Sequence, residues 1–222
     1  MKKVILAFSF TVVASVFAVG QSGDDYKKGE GYVGYSNGQI DTGFDAGDSV
    51  DDFFRERESF NGVNISGVYN VSRYFGIKGD VSGTYNNTRF TGESFLPPGP
   101  GVPTAISFNA KSSLYNILGG VQIKDNSNSG RFKPFAHALV GAGHARSRIS
   151  EVTCTPSTAG CGDIFGNGET FSETGFAGAF GGGIDIRLNN RIQIRAIQLD
   201  YNPVRLDGFT QNNVRIGAGI VF

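Results

Sequence analysis

Val214-Arg215-Ile216-Gly217-Ala218-Gly219-Ile220-Val221-Phe222 is the stretch that decides the fold. In an extended strand successive side chains point to opposite faces. Val214, Ile216, Ala218, Ile220 and Phe222 therefore share one face, and Arg215, Gly217, Gly219 and Val221 share the other. A bare apolar strand is a poor edge for a water-soluble sheet, because its unpaired groups recruit other chains. It suits a strand that closes a barrel in a membrane, with the apolar face in lipid and the small or charged face in the lumen. Phe222, an aromatic at the end of that apolar face, is expected to act with Val214, Ile216, Ala218 and Ile220 as a signal for assembly of the barrel.

The other end of the chain agrees. Met1-Lys2-Lys3 gives a positive start, and Val4 to Val19 is apolar apart from Ser9, Thr11 and Ser15. Ala18 and Gly20 stand at the −3 and −1 positions of a cleavage site before Gln21. This predicts a secretory signal peptide over residues 1–20, a short lead-in over 21–28 and the barrel over 29–222. The apolar stretch is short for a bilayer helix, and no basic cluster follows it to stop transfer. No Cys lies at the cleavage site, which argues against a lipoprotein. Hydrophobic content of 39% fits a barrel, where every second strand residue meets lipid. A net charge of zero argues against nucleic acid as a partner.

Period-2 alternation recurs between turn residues and predicts eight strands, near 30–37, 60–71, 75–85, 108–124, 133–146, 174–188, 191–202 and 211–222. Tyr32 and Tyr35 are read as interface aromatics. In the third strand Phe75, Ile77, Val81 and Tyr85 alternate with Lys78, Asp80, Ser82 and Thr84. The sixth puts Phe176, Phe180, Ile184 and Ile186 outward and Gly175, Ala177, Ala179, Gly181, Gly183 and Asp185 inward. The seventh breaks strict alternation: Gln198 and Asp200 share a face that Arg195 leaves, unless a bulge intervenes. Connections alternate between short (72–74, Asp125–Gly130, Asn189-Asn190) and long (38–59, 86–107, 147–170), with 204–210 intermediate. Short periplasmic turns and long outer loops are the asymmetry of an outer-membrane barrel.

Three stretches carry a family resemblance: Arg131-Phe-Lys-Pro-Phe-Ala-His-Ala-Leu-Val-Gly-Ala-Gly143, Phe176-Ala-Gly-Ala-Phe-Gly-Gly-Gly-Ile-Asp-Ile-Arg-Leu188, and Ile194-Arg-Ala-Ile-Gln-Leu-Asp-Tyr201. In order and spacing they resemble small outer-membrane β-barrels of the outer-membrane protein A transmembrane-domain and opacity type. The resemblance implies an all-β, eight-stranded, antiparallel up-and-down transmembrane barrel. The peptidoglycan-binding domain of some relatives is not matched. With no Trp in the chain, Tyr and Phe must form the interface girdles.

A barrel of eight strands has an interior that side chains fill. Lys78, Asp80, Lys124, His137, Asp185, Asp200 and Arg215 are the expected polar lumen network, with Lys78 and Asp185 as a candidate pair. Buried charges must pair or stay hydrated. Cys154 and Cys161 flank a turn-rich stretch and are expected to form a local disulfide in an exported chain. His144, Ser147 and the nearby Ser150 and Glu151 are the residues an enzymatic reading would test first, but His-Ala-Arg-Ser lacks the His-x-Ser pattern of lipid A deacylases. Asp41, Asp45, Asp48, Asp51 and Asp52 make an acidic loop without calcium-loop spacing. Pro97–Pro103 is a stiff exposed loop.

These features point to a non-enzymatic integral outer-membrane barrel, monomeric, with no catalytic residue, metal or cofactor. It would serve as a structural platform whose loops around 41–58, 97–103 and 154–161 meet a surface ligand. Its other partners would be outer-membrane lipid and the barrel-assembly machinery. The alternative is a narrow porin-like channel for ions or small solutes.

Overall fold

The structure is a computed structural model that describes residues 26–41, 57–93, 103–127, 130–156, 161 and 166–222. The expected signal peptide, Asp45, Asp48, Asp51 and Asp52, and most of the Pro-rich loop lie outside the described residues. Eight strands run in chain order: β1 (Gly29–Asp41), β2 (Arg57–Asn70), β3 (Phe75–Glu93), β4 (Ala105–Lys124), β5 (Phe132–Thr155), β6 (Thr170–Arg187), β7 (Gln193–Leu206) and β8 (Phe209–Val221). Each pairs antiparallel with its neighbour in sequence, and β8 returns to β1 to close the barrel. Closure leaves no strand edge, which is what lets a sheet stand in lipid.

The closing seam is the C-terminal stretch itself. Tyr32 to Gln39 pair with Val221 to Val214; Phe222 N donates to Gly31 O at 2.8 Å, and Phe222 O accepts from Gly31 N at 3.2 Å. Ile216, Ala218, Ile220 and Phe222 face outward, and Arg215 and Val221 are buried inside.

The outer wall carries an apolar band that includes Val63, Ile65, Val81, Ile117, Val121 and Ile184, all exposed. Aromatics bound it on both sides. Tyr69, Phe75 and Phe132 lie toward the short turns, and Tyr35, Tyr85, Tyr115 and Tyr201 toward the long loops. Tyr32 corrects the sequence reading: it is 3% exposed and lies in the lumen. Tyr32 and Tyr35 are an odd number of residues apart, so an unbroken strand must split them between faces.

The strands reach further than hydrophobic alternation suggests. β3, β4 and β5 extend through much of what reads as loop, with Asn86–Glu93 pairing with Ala105–Ser112 and Lys111–Ser113 pairing with Arg146–Arg148. The connection expected over 204–210 is a two-residue hairpin. Asp207 and Gly208 take φ of 44° and 82°, between the paired residues Leu206 and Phe209, as a type I′ turn requires.

At the short-turn end, Asn189 Oδ1 accepts from the backbone of Arg191 and Ile192 at 2.8 and 2.9 Å, which shapes the β6–β7 turn. The lead-in crosses the mouth here. Asn70 N donates to Lys28 O (2.7 Å), Asn70 Nδ2 to Lys27 O (2.8 Å) and Lys27 N to Asn126 O (3.2 Å), while Tyr26 bridges Ser127. Asn126 and Ser127 belong to the β4–β5 turn, across the barrel from β1.

Candidate functional site

The lumen is stratified. Toward the long loops it holds an apolar cluster of Ile40, Phe60, Leu114, Leu118, Leu139, Ala177, Ala179 and Val204. Below that lie the charged side chains, joined in one connected network.

Nearest the mouth, Lys124 Nζ sits among four acceptors: Glu30 Oε1 and Oε2 (3.0 and 2.9 Å), Asp185 Oδ2 (2.8 Å) and Gln193 Oε1 (3.0 Å). Asp185 in turn accepts from Arg195 Nε and Nη2. The Arg195 guanidinium lies between two rings, its Cζ 4.4 Å from the Tyr32 centroid and 4.0 Å from that of Phe135. Such stacking suits Arg, which is weakly hydrated and planar. Arg195 Nη1 donates to Gln198 Oε1 (2.8 Å), and Gln198 Nε2 to Asp200 Oδ2 (2.6 Å).

Arg215 ties the next layer together. It donates through Nε and Nη2 to Asp200 Oδ2 (2.9 and 2.7 Å), and through Nη1 to Asp80 Oδ1 (2.8 Å) and Ser82 Oγ (3.1 Å). Asn64 Nδ2 adds a bond to Asp80 Oδ1 at 3.0 Å. Lys78 Nζ is 4.0 Å from Asp80 Oδ2 and 3.1 Å from His137 Nδ1, and His137 Nε2 is 3.0 Å from Asp200 Oδ1. Low dielectric makes such a network strong when complete and costly when broken.

β6 makes room for these side chains. Its inward positions are Gly175, Ala177, Ala179, Gly181 and Gly183 before Asp185, so the bulky Arg195, Phe135 and Lys78 can fill a narrow barrel. The bulge that the seventh strand calls for is present. The β7–β8 register shifts between Arg195 and Gln198, and the β6–β7 register between Ile184 and Asp185. Arg195, Gln198 and Asp200 consequently all point inward.

All seven residues named from the sequence as lumen candidates lie in this network. The specific pair Lys78–Asp185 is not formed: Asp185 engages Lys124 and Arg195, while Lys78 turns to Asp80 and His137. Sequence reasoning passed over Glu30, Tyr32 and Gln193, which stand at the strand ends beside the mouth. It left Arg195 undecided between lumen and rim.

Cys154 and Cys161 are disulfide-bonded. His144 stands on the outer wall, with Nδ1 2.7 Å from Thr174 Oγ1, whereas Ser147 Oγ lies on the opposite face, 3.1 Å from Ser112 Oγ. Three residues apart on a strand, the two are split between faces and cannot act as nucleophile and base. Asp41 Oδ2 accepts from Asn212 N at 3.1 Å.

A model of the outer membrane protein beta-barrel domain matches residues 5–222. The chain belongs to that family. It is thus an outer-membrane β-barrel of a bacterium. Among solved structures, it is similar to Ail, the attachment invasion locus protein of Yersinia pestis, in complex with the heparin analogue sucrose octasulfate. Identity is 20%, coverage is 88% of this chain and 99% of that one, and the TM-score is 0.50. Neisserial surface protein A matches at 9% identity over 89% and 98% of the chains (TM-score 0.48). OprG from Pseudomonas aeruginosa matches at 11% over 88% and 96% (TM-score 0.44). Likeness at these identities is one of fold. No curated protein matches the sequence.

Proposed function

We propose that this outer-membrane barrel is a non-conducting, non-enzymatic platform that presents extracellular loops for recognition at the cell surface. The observation that carries this reading is the filling of the lumen. Asp185, Asp200, Leu139, Ala177 and Val204 are 0% exposed, and Lys78, Asp80 and Arg195 are 1% exposed, so water does not reach their surfaces. An ion would have to break the charge network and then cross the apolar cluster above it.

Two further features support recognition by the outer end. β3, β4 and β5 contain 19, 20 and 24 residues against 13 in β1 and β8, so one side of the wall stands above the rest. The Cys154–Cys161 disulfide closes a short ring at the outer end of β5. Ail was captured with an anionic heparin analogue, which makes a surface ligand the natural class to test. In the same reading residues 1–20 are a cleaved export signal, and Val214, Ile216, Ala218, Ile220 and Phe222 present the assembly signal.

A narrow channel is the second reading. It is favoured by buried polar atoms without a protein hydrogen-bond partner, among them Ser36 Oγ, Ser66 Oγ and both polar atoms of the Gln122 amide, where water could lodge. Planar-bilayer conductance of the refolded chain from Gln21 onward separates the two. Silence from protein whose folding is verified by heat-dependent gel mobility is expected. Steady, reproducible channels would overturn the platform and make the lumen the site.

A further inference from the structure

The outer wall carries a cationic recess that the platform reading does not use. Registers across β3, β4 and β5 set its rows on the outward face. Tyr115 and His144 form the first, their rings stacked with centroids 6.5 Å apart. Tyr85, Ser113 and Arg146 form the second, and Asn87, Lys111 and Arg148 the third. Tyr85 meets Tyr115 edge-on at 5.5 Å. All of these except His144 line an open recess of about 510 Å³ whose wall carries three cations and no carboxylate.

Three facts make the recess more than a charged surface. Lys111 and Arg148 are direct cross-strand partners, a like-charge pair that costs stability at the ~5 Å spacing of opposed side chains. Lys111, Arg146 and Arg148 form no ion pair with any described residue. Glu151, three residues beyond Arg148, is hydrogen-bonded to Asn109. The cations also begin at the height of the Tyr85 and Tyr115 aromatics and rise by two residues, about 7 Å. Lipid headgroups meet a barrel wall at that depth.

We propose that Lys111, Arg146 and Arg148 form a binding site for the phosphate of a phosphorylated lipid in the outer leaflet, with its acyl chains lying along the apolar band below. Arg supplies planar, bidentate donors to phosphate oxygens, and Lys a point charge. An anion between Lys111 and Arg148 turns their repulsion into shared attraction. The aromatic row beneath seats the lipid's glycerol or sugar region. The site lies at headgroup height, so the anion it meets is that of a membrane lipid.

The chain from Gln21 onward is refolded into phosphatidylcholine nanodiscs doped with diphosphoryl lipid A or with the same lipid stripped of phosphate. Retained lipid is counted by native mass spectrometry. Retention of the phosphorylated form is expected to exceed the stripped form by about tenfold, as one charge-assisted hydrogen bond would give. The preference should vanish in the triple variant Lys111→Gln, Arg146→Gln, Arg148→Gln and persist in Arg191→Gln, at the opposite end of the barrel. Arg148→Glu offers a second variant that replaces the like-charge pair with an opposite one; it should fold and still lose the preference. Equal retention of both lipids, an unaltered triple variant, or displacement of the lipid by millimolar inorganic phosphate would each overturn the proposal. A barrel that conducts yet keeps the preference would overturn the platform reading and leave this one intact.

Discussion

Asp185 accepts two nearly parallel hydrogen bonds from Arg195, at 2.8 Å from Nε and 3.1 Å from Nη2, at the point where the β6–β7 register slips by a residue. The bulge turns Arg195 inward, and the carboxylate fixes it between Tyr32 and Phe135. Backbone irregularity and charge pairing are thus one feature. Without the bulge the guanidinium would face lipid; without the carboxylate it would be a buried, uncompensated charge.

Arg195→Ala should therefore destabilise the folded barrel by about 3–5 kcal/mol, the usual cost of stranding one member of a buried ion pair. Asp185→Ala should do the same, stranding Arg195, while Lys124 keeps its ion pair with Glu30. Because the two residues share one interaction, the double variant should cost less than the two singles together. Urea unfolding in lipid vesicles, followed by tryptophan-free tyrosine fluorescence or gel mobility, measures all three. Additive costs would show that the pair is not coupled.

Gly181 faces Asp200 so closely that a Cβ placed there would strike the Leu199 carbonyl oxygen and the Asp200 side chain. Gly181→Val should lower refolding yield and stability by about 1–3 kcal/mol or more, as overpacking does. Gly79, whose added Cβ would meet nothing within 4 Å, provides the control. Gly79→Ala should refold like the parent, and an equal loss at both sites would trace the effect to general strand propensity.

Outside the barrel, Asp125 accepts from Arg73 at 3.0 and 3.2 Å and from Ser127 N at 3.0 Å. The Arg73 guanidinium holds its carboxyl well below the usual carboxylate range. A depressed folded-state pKa gives stability that is present above the unfolded value, near 3.9, and is lost as pH falls toward the folded one. Both partners are about half exposed, so the effect is small. Comparing unfolding at neutral pH and near pH 3, the parent should lose slightly more stability on acidification than Asp125→Asn. Identical losses would remove this turn from the acid response.

Deleting Phe222 removes both backbone bonds to Gly31 and one lipid-facing ring. Refolding in detergent should slow but still yield closed barrel, because the Tyr32–Gln39 pairing with β8 remains. Assembly in cells should fall much further if the terminal aromatic is also read by the assembly machinery. Equal losses in both settings would assign Phe222 a purely structural role.

The membrane-crossing part of each strand is legible in the sequence because lipid imposes the alternation. Where β3, β4 and β5 leave the bilayer the alternation stops, although the backbone ladder goes on to Glu93, Ala105 and Thr155; there the ladder and single cross-strand pairs such as Phe90 on Phe108 hold the strands together. The Asp207-Gly208 hairpin was open to recognition as a turn dipeptide, but the polar residues around it read as loop. Inside, the inward residues could be listed from parity, whereas their partners could not. Which acid meets Lys78 depends on tilt and stagger between strands distant in sequence, as Asp185 illustrates by joining Lys124 instead. Arg195 required knowing on which side of Ala196 and Ile197 the strand bulges.

The lead-in at Tyr26–Lys28 ties β1 to the β4–β5 turn, which stand on opposite sides of the cylinder. A thin-walled tube is softest toward flattening, since its wall can bend into an oval without stretching any strand pairing. A tie across the diameter resists that mode, so the mouth is cross-braced by three residues of the chain's own backbone. The brace sits beside the Lys124 cluster, whose four short contacts would be the first to lengthen if the rim went out of round.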